Sequence, residues 1–206
     1  WHIARFRKNN PQYSYEFYDD TRIRSFLGEE FGASILGLYD RIQIGAAKAD
    51  FFRYAILKKK GGVYLDIDSS IIGKLDDLIL PDDVALISKE QNSPCYIQWA
   101  LIFAPEHPYL NMTLEMMFDN IKHNRYPHDV HHMTGPTVYT NAVNACLDKD
   151  PTIPHRMLDV EYNNKLKFKY TLSKFFLYSK KADHWKVKQL TSSVLNQDNL
   201  QQNDKD

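Results

Sequence analysis

Two aspartates separated by one residue, Asp66 and Asp68, are the side chains of this sequence whose type and spacing point most directly to chemistry. They stand at the end of residues 63–67, a β-branched and aromatic run that favours a strand. Because alternate residues of a strand face the same side, we expect Tyr64, Asp66 and Asp68 to lie together. Adjacent carboxylates repel unless a cation or a proton neutralises them, and hard divalent cations prefer carboxylate oxygens. The triplet therefore predicts a Mg²⁺ or Mn²⁺ site at the end of a strand.

The segment before this strand carries a second polar pair, Asp50 and Arg53. Apolar residues recur at helical spacing between residues 47 and 55, and Gly61 and Gly62 are suited to end a helix before the strand begins. Asp50 and Arg53 are three residues apart, so they share a face of that helix. They are either a ligand-binding pair that faces the same cleft as the aspartates or an ordinary ion pair on the helix surface.

Residues 53–68, with Asp50 three positions before Arg53, resemble the Asp-x-Asp sugar transferases of glycosyltransferase family 32. This family includes yeast outer-chain mannosyltransferases and bacterial enzymes of capsular polysaccharide biosynthesis. Three flanking segments are similar to further sequence motifs of the family: residues 10–20, 104–108 and 133–136. The resemblance extends over most of the chain.

The resemblance implies an α/β fold of the GT-A type, with a Rossmann-like mixed sheet flanked by helices in a single domain. It implies a retaining enzyme that uses Mn²⁺ or Mg²⁺ to move a hexose from a nucleotide sugar, such as UDP- or GDP-hexose, to a glycan or another hydroxyl acceptor. The expected reaction is a front-face transfer through an oxocarbenium-like state, in which the departing phosphate assists deprotonation of the acceptor.

Roles for individual residues follow from the same resemblance. Asp66 is expected to contact the nucleotide ribose and the metal, and Asp68 to bind the metal directly. Asp50 and Arg53 are expected to hold the donor sugar and its phosphates, with Arg53 helping to stabilise the charge on the departing group. His184, which directly precedes a tryptophan, resembles a late histidine of the family, and it is either the third metal ligand or an exposed histidine.

The elements that must position these residues are predicted from local patterns. Alternating aromatic residues predict a strand over residues 13–18, and Asp19 or Asp20 is expected to cap a helix that runs to about residue 31. A further helical stretch from about residue 33 is predicted to continue from residue 42 to residue 60. These helices are expected to cover the sheet.

Two strands, residues 84–88 and 97–103, follow the central motif with a turn between them. Gln98 in the second strand either reaches the donor sugar or faces water at an edge. Helices are predicted from Pro108 to about residue 122 and from Pro136 to about residue 147.

The remaining segments are predicted to be structural. The histidine-rich residues 123–132 are interpreted as an acceptor-side loop and not as a zinc site, because they lack cysteine and a ligand pair on one helix face. Small residues at positions 135 and 136 would let a substrate approach the backbone. Beyond residue 151, aromatic residues alternate with lysines and predict a hairpin, and this pattern favours sheet packing over nucleic-acid binding.

Length and composition limit the function classes. The 206 residues fit one domain, predicted over residues 1–194, with a polar and disordered tail at 195–206. The 26 basic residues balance the 26 acidic ones, so no general attraction to nucleic acid or to an anionic membrane is expected. No apolar run approaches the roughly 20 residues that span a bilayer. Cys95 and Cys146 are expected to be free thiols, although a bridge between them remains open.

The family's usual opening strand, which supplies part of the nucleotide pocket, is not found in this sequence unless residues 1–3 are its remnant. A membrane anchor could precede such a strand, so both the cytoplasm and the Golgi lumen remain open as compartments. Two other functions also remain open. One is a haloacid-dehalogenase-type phosphatase with Asp66 as the nucleophile. The other is a module that binds sugar nucleotides or glycans without catalysis.

Overall fold

The structure is a computed structural model and describes residues 2–67, 69–71, 73–168 and 189–196. The helices are α1 (His2–Asn9), α2 (Asp20–Arg41), α3 (Gly45–Lys60), α4 (Pro108–Lys122), α5 (Val130–Met133), α6 (Pro136–Lys149) and α7 (Val160–Asn164). The strands are β1 (Gly62–Leu65), β2 (Ser69–Ile71), β3 (Ala85–Ser88), β4 (Ala100–Phe103), β5 (Arg156–Leu158) and β6 (Leu166–Phe168). A 3₁₀ helix covers Leu75–Asp77.

The main sheet has the strand order β1-β4-β3-β5. β4 pairs antiparallel with both β1 and β3, whereas β3 and β5 are parallel, so the sheet is mixed. β2 and β6 form a separate antiparallel pair. The predicted α/β class, a mixed sheet flanked by helices, is confirmed.

The two faces of the main sheet pack against different apolar clusters. Leu101 and Phe103 of β4 belong to the larger cluster, which contains the helices α2, α3, α4 and α6, while Ile102 belongs to a smaller cluster on the opposite face. The same alternation holds in β1, where Tyr64 packs against the larger cluster and Val63 against the smaller one. The predicted separation of the two faces of this strand is therefore confirmed.

The helices before β1 follow the prediction on either side of residue 32 but not at residue 42. α2 begins after the N-cap Asp19, whose Oδ1 accepts a hydrogen bond from the Arg22 amide, and Gly32 kinks it with a φ of 81°, so a helix on each side of position 32 is confirmed. The helix predicted from residue 42 to residue 60 is confirmed over Gly45–Lys60 and is wrong at residues 42–44. Ile42 and Ile44 have extended backbones, and the intervening Gln43 amide donates to the carbonyl of Val194. Bonding to a distant segment replaces helical bonding there.

The predicted strand at residues 13–18 is also wrong. Its aromatic alternation suits a strand, but these residues form no ladder with any described strand. His2 and Ile3 lie in α1, so they are not a remnant of a strand.

Among the described residues, none of the helices has both the length and the apolar character needed to cross a membrane. Residues 169–188 of the predicted hairpin and residues 197–206 of the predicted tail lie outside the described residues.

Candidate active site

The turn between α3 and β1 sets the geometry of the candidate site. α3 ends where the Gly61 amide donates to the carbonyl of Leu57, and Gly61 and Gly62 have positive φ values of 63° and 99°. A Cβ on Gly61 would stand 2.7 Å from the Cδ of Pro105, so a larger residue would meet both backbone strain and a clash. This tight reversal lays β1 beside the helix and brings Asp66 close to Arg53.

Arg53 is the centre of a buried polar network. Its Nη2 lies 3.0 Å from Oδ1 of Asp66 and 3.2 Å from Oδ1 of Asp50, and its Nη1 donates to the carbonyl of Gln98 at 3.0 Å. The Arg53 and Asp50 side chains are each only 4% exposed, so the alternative of a surface ion pair is wrong. Burial alone would lower the pKa of Arg53, but the charges of Asp66 and its neighbours raise it above its ordinary value. The guanidinium is therefore a fixed positive charge.

Asp50 is held from three directions. Its Oδ2 accepts a hydrogen bond from the Thr134 hydroxyl at 2.9 Å, and its Oδ1 accepts one from the Gln98 amide at 3.1 Å in addition to its contact with Arg53. Burial raises the pKa of Asp50 to about 6, although Arg53 and Thr134 act in the opposite direction. Both carboxylate oxygens thus face protein donors in the interior.

Asp66 is the member of the network that reaches the surface. Its Oδ1 accepts hydrogen bonds from Arg53 at 3.0 Å and from the Tyr64 hydroxyl at 2.9 Å, while 22% of its side chain is exposed. The arginine also lies 5.0 Å over the Tyr64 ring, a cation–π contact. Burial and the nearby carboxylates raise the pKa of Tyr64, so it remains a hydrogen-bond donor. These contacts fix the orientation of the Asp66 carboxylate.

Gln98 lies just before β4 and points inward. Its amide oxygen accepts from the Tyr54 hydroxyl, and its amide nitrogen donates to Asp50. The alternative of an edge residue facing water is therefore wrong, and its contact with a donor sugar stays a prediction. The sequence patterns do not identify Thr134 and Tyr54 as members of this site. Thr134 stands within residues 133–136, one of the segments similar to the family, but its 84-residue separation from Asp50 has no local signature.

A large cavity of about 760 Å³ lies beside Asp66. Tyr64 of β1, Asp66 just after it and Ser69 of β2 line the cavity, as do Tyr15 and Phe17 of the segment before α2. Phe17 is 60% exposed, and Ile67, also at the cavity, is 72% exposed. The cavity thus combines aromatic surface with a few charged groups, which are Asp66, Glu16, Arg5 and Lys60, and a mixture of apolar surface with a few polar groups is usual for a small-molecule site.

The metal prediction rests on three residues, of which only Asp66 is described. Asp68 and His184 lie outside the described residues. Among the described part of the chain, no group of three or more His, Cys, Asp or Glu side chains could hold a metal ion. The donor chemistry of an Asp-x-Asp pair still fits a hard divalent cation, and the partly exposed Asp66 carboxylate is positioned to take part in such a site.

The small residue at position 135 has a packing role. A Cβ on Gly135 would stand 2.9 Å from the Cα of His131 and 3.0 Å from the carbonyl oxygen of Val130. Gly135 therefore lets α5 pack against the start of α6, which places Thr134 on Asp50.

Cys95 and Cys146 are free thiols, as predicted.

Comparisons with known proteins identify sequences and structures that this chain resembles. Residues 2–86 match the family described as a glycosyltransferase sugar-binding region containing the DXD motif. The chain is 33% identical over 156 residues to an uncharacterised glycosyltransferase of Acanthamoeba polyphaga mimivirus, and this alignment covers 75% of this chain and 61% of the relative. It is 29% identical over 166 residues to the initiation-specific alpha-1,6-mannosyltransferase of Schizosaccharomyces pombe, and this alignment covers 67% of this chain and 42% of the relative.

Among solved structures, the PaToxG glycosyltransferase aligns with a TM-score of 0.42 and 22% sequence identity, over 73% of this chain and 55% of that chain. The chain spans 61% and 42% of the lengths of the two curated relatives. The matched residues 2–86 include Asp50, Arg53, Asp66 and Asp68. The predicted resemblance to Asp-x-Asp sugar transferases is therefore confirmed, since residues 2–86 match a glycosyltransferase sugar-binding region that contains the DXD motif.

Proposed function

We propose that this chain is the donor-binding and catalytic part of a metal-dependent, retaining glycosyltransferase of the GT-A type. It transfers a hexose from a nucleotide sugar to a glycan or another hydroxyl acceptor. The observation that carries the proposal is the orientation of Asp66, which Arg53 and Tyr64 hold at the wall of a cavity of about 760 Å³. The family match over residues 2–86 gives this carboxylate its chemical context.

In this proposal, Asp66 and Asp68 hold a divalent cation, Mg²⁺ or Mn²⁺, with His184 as the third ligand. The bound cation supplies positive charge for the diphosphate oxygens on which negative charge develops as the bond to the sugar breaks. Arg53 fixes the carboxylate of Asp66 through one side of its guanidinium and adds a permanent positive charge behind it. Asp50 fixes Arg53 in turn. A carboxylate held in advance loses little freedom when it binds its ligand.

The lining of the larger cavity supports a nucleotide sugar as the donor class. The rings of Tyr15 and Phe17 offer apolar surface for a nucleotide base, and Ser69 and Asp66 offer hydrogen-bonding groups for a ribose or a sugar. The relatives named mannosyltransferases make mannose from GDP-mannose the first hexose to test, with UDP-glucose and UDP-galactose next. A glycan is the first acceptor class to test.

The experiment is a thermal-shift screen of UDP, GDP, CMP and their sugars, with and without Mn²⁺. It compares the wild type with Asp68→Ala and Asp66→Asn. A ligand that binds only the folded state raises the melting temperature, so one nucleotide class is expected to stabilise the wild type only with metal. Both variants are expected to lose this shift. Asp82→Asn, an exposed aspartate outside the site, is the matched control and is expected to keep it.

A nucleotide-dependent shift must be followed by turnover. Release of the nucleoside diphosphate in the presence of an acceptor, lost in Asp68→Ala, distinguishes a transferase from a module that only binds. The proposal fails if no nucleotide shifts the wild type with any metal. Trapping of a phosphorylated Asp66 with phosphate esters would then support the phosphatase alternative.

A further inference from the structure

A second cavity, of about 200 Å³, lies between the C-terminal part of α4, the helix α5 and the first turns of α6. It shares no lining residue with the larger cavity beside Asp66. Six of its lining side chains carry hydrogen-bonding groups, and they are Asp119, Asn120, Tyr126, His132, Thr137 and Asn141. Its volume is below the roughly 300–1,000 Å³ of pockets for drug-sized ligands, so it suits one small ring.

The carboxylates around this cavity have partners within the protein. The Asp119 carboxylate accepts from Arg125 Nε at 2.7 Å and lies 2.9 Å from Nδ1 of His123. On the opposite wall, Nδ1 of His132 lies 2.7 Å from a carboxylate oxygen of Asp129. Asp119 is therefore paired with Arg125, and Asp129 has a histidine partner, so each carboxylate already has a partner in the protein.

The remaining groups favour a neutral ligand with several hydroxyls. The Asn141 amide combines a donor and an acceptor and therefore matches adjacent hydroxyl groups, whereas the Asn120 amide nitrogen already donates to the backbone carbonyls of His132 and Met133. The Tyr126 ring lies 5.3 Å from the His132 ring at an angle of 37°, and both side chains are exposed. The two rings are tilted relative to each other, and the exposed Tyr126 ring offers apolar surface to the C–H groups of a sugar.

We propose that this cavity is a binding subsite for one sugar residue of a glycan. Helix α5 connects it with the buried network, because His132 lines the cavity and Thr134, two residues later, donates its hydroxyl to Asp50 at 2.9 Å. The subsite therefore includes a side chain of α5, the helix directly before Thr134, which bonds to the Asp50–Arg53–Asp66 network. The assignment of the bound sugar as part of the acceptor rests on the proposed function, whereas the binding of a sugar does not.

Saturation-transfer difference NMR with α-1,6-mannobiose, maltose and lactose tests the subsite on the whole chain, without metal or nucleotide. At least one disaccharide is expected to bind the wild type. Asn141→Ala and Tyr126→Ala are each expected to weaken its binding by about tenfold. Asn144→Ala is the matched control, since Asn144 is also exposed on α6 but does not line the cavity, and its binding is expected to equal that of the wild type. Tyr126→Phe is expected to retain binding through the ring.

Three outcomes would overturn the subsite. They are no binding of any of the three disaccharides to the wild type, equal binding to all variants, and loss of binding in Asp66→Asn but not in Asn141→Ala. The last outcome would place the sugar in the larger cavity. Disaccharide binding that follows the expected pattern, in a protein that no nucleotide stabilises, would support the subsite and contradict the proposed donor function. The two proposals can therefore fail separately.

Discussion

Two ion-pair systems of this chain have similar chemistry and opposite surroundings. The Asp50–Arg53 pair in α3 is only 4% exposed, and it bonds to groups just after β1, just before β4 and just after α5, which are Asp66, Gln98 and Thr134. The Asp119–Arg125 pair, at the smaller cavity, is about half exposed, with 47% and 49% of its side chains accessible. Burial raises the pKa of Asp50 to about 6, whereas the hydrogen bond from Arg125 lowers the pKa of Asp119.

This difference indicates separate uses for charge. In the interior, each charge depends on its partner, because a buried ion that loses its partner keeps its full desolvation penalty. Such a network can orient Asp66, but it tolerates little change. At the surface, water replaces a lost partner at small cost, so the groups around the smaller cavity can exchange their contacts for those of a ligand.

The largest effect is expected from Arg53→Met, which leaves two carboxylates next to each other without their common partner. Breaking a buried pair in this way typically costs about 3–5 kcal/mol of the free energy of unfolding. Urea denaturation followed by circular dichroism measures it. Arg125→Met is the matched control and is expected to leave the unfolding midpoint nearly unchanged. Similar losses in the two variants would contradict the distinction between the two regions.

The next prediction concerns the contribution of Asp50 to the pH dependence of the free energy of unfolding. Its pKa is about 6 in the folded chain and about 3.8 ordinarily, so between these values the folded state binds more protons than the unfolded state. This contribution therefore favours folding at low pH and is lost as the pH rises from about 4 to about 6. Asp50→Asn is expected to remove it, which would be seen as a smaller decline of the unfolding free energy across that range. An unchanged pH profile in Asp50→Asn would show that the carboxylate is ionised throughout.

The sequence predicts the parts of this site that local patterns determine. The end of α3 at Gly61, the strand after it and the shared face of Tyr64 and Asp66 follow from glycine positions and from the period of a strand. The start of α4 at Pro108 follows in the same way from a residue suited to a first helical turn.

The sequence does not predict what distant segments contribute. Gln98 and Thr134 reach Asp50 across 48 and 84 residues, and the backbone at Gln43 bonds to Val194. Local propensity contains no information about such partners, and for the same reason residues 13–18 have the alternation of a strand without a strand to pair with. The burial of Asp50 and Arg53 could not be predicted either, because their spacing is the same in a surface ion pair.

A smaller effect is expected where the two regions meet, at Gly135. The added Cβ of Gly135→Ala would stand 2.9 Å from a backbone atom of His131, so α5 must shift. We expect a loss of about 1–3 kcal/mol in the free energy of unfolding. Gly37→Ala, in α2, is the matched control, because its Cβ meets no atom within 4 Å and alanine favours a helix. If Gly135→Ala proved as stable as the wild type, α5 would not be fixed by this contact.

The smallest effect on stability is expected from Asp119→Asn, and this variant separates stability from binding. Because Arg125 lowers the pKa of Asp119, the pair favours folding above the ordinary pKa of an aspartate and loses this contribution as the pH falls through the lowered value. Water and salt screen an exposed pair, so the unfolding midpoint at pH 7 is expected to stay within error of the wild type in both low and high salt. The same substitution removes an acceptor from the smaller cavity, so sugar binding should weaken while stability does not. A fall in the midpoint similar to that of Asp50→Asn would mean that this pair, too, supports the fold, and that the surface and the interior differ less than their exposure indicates.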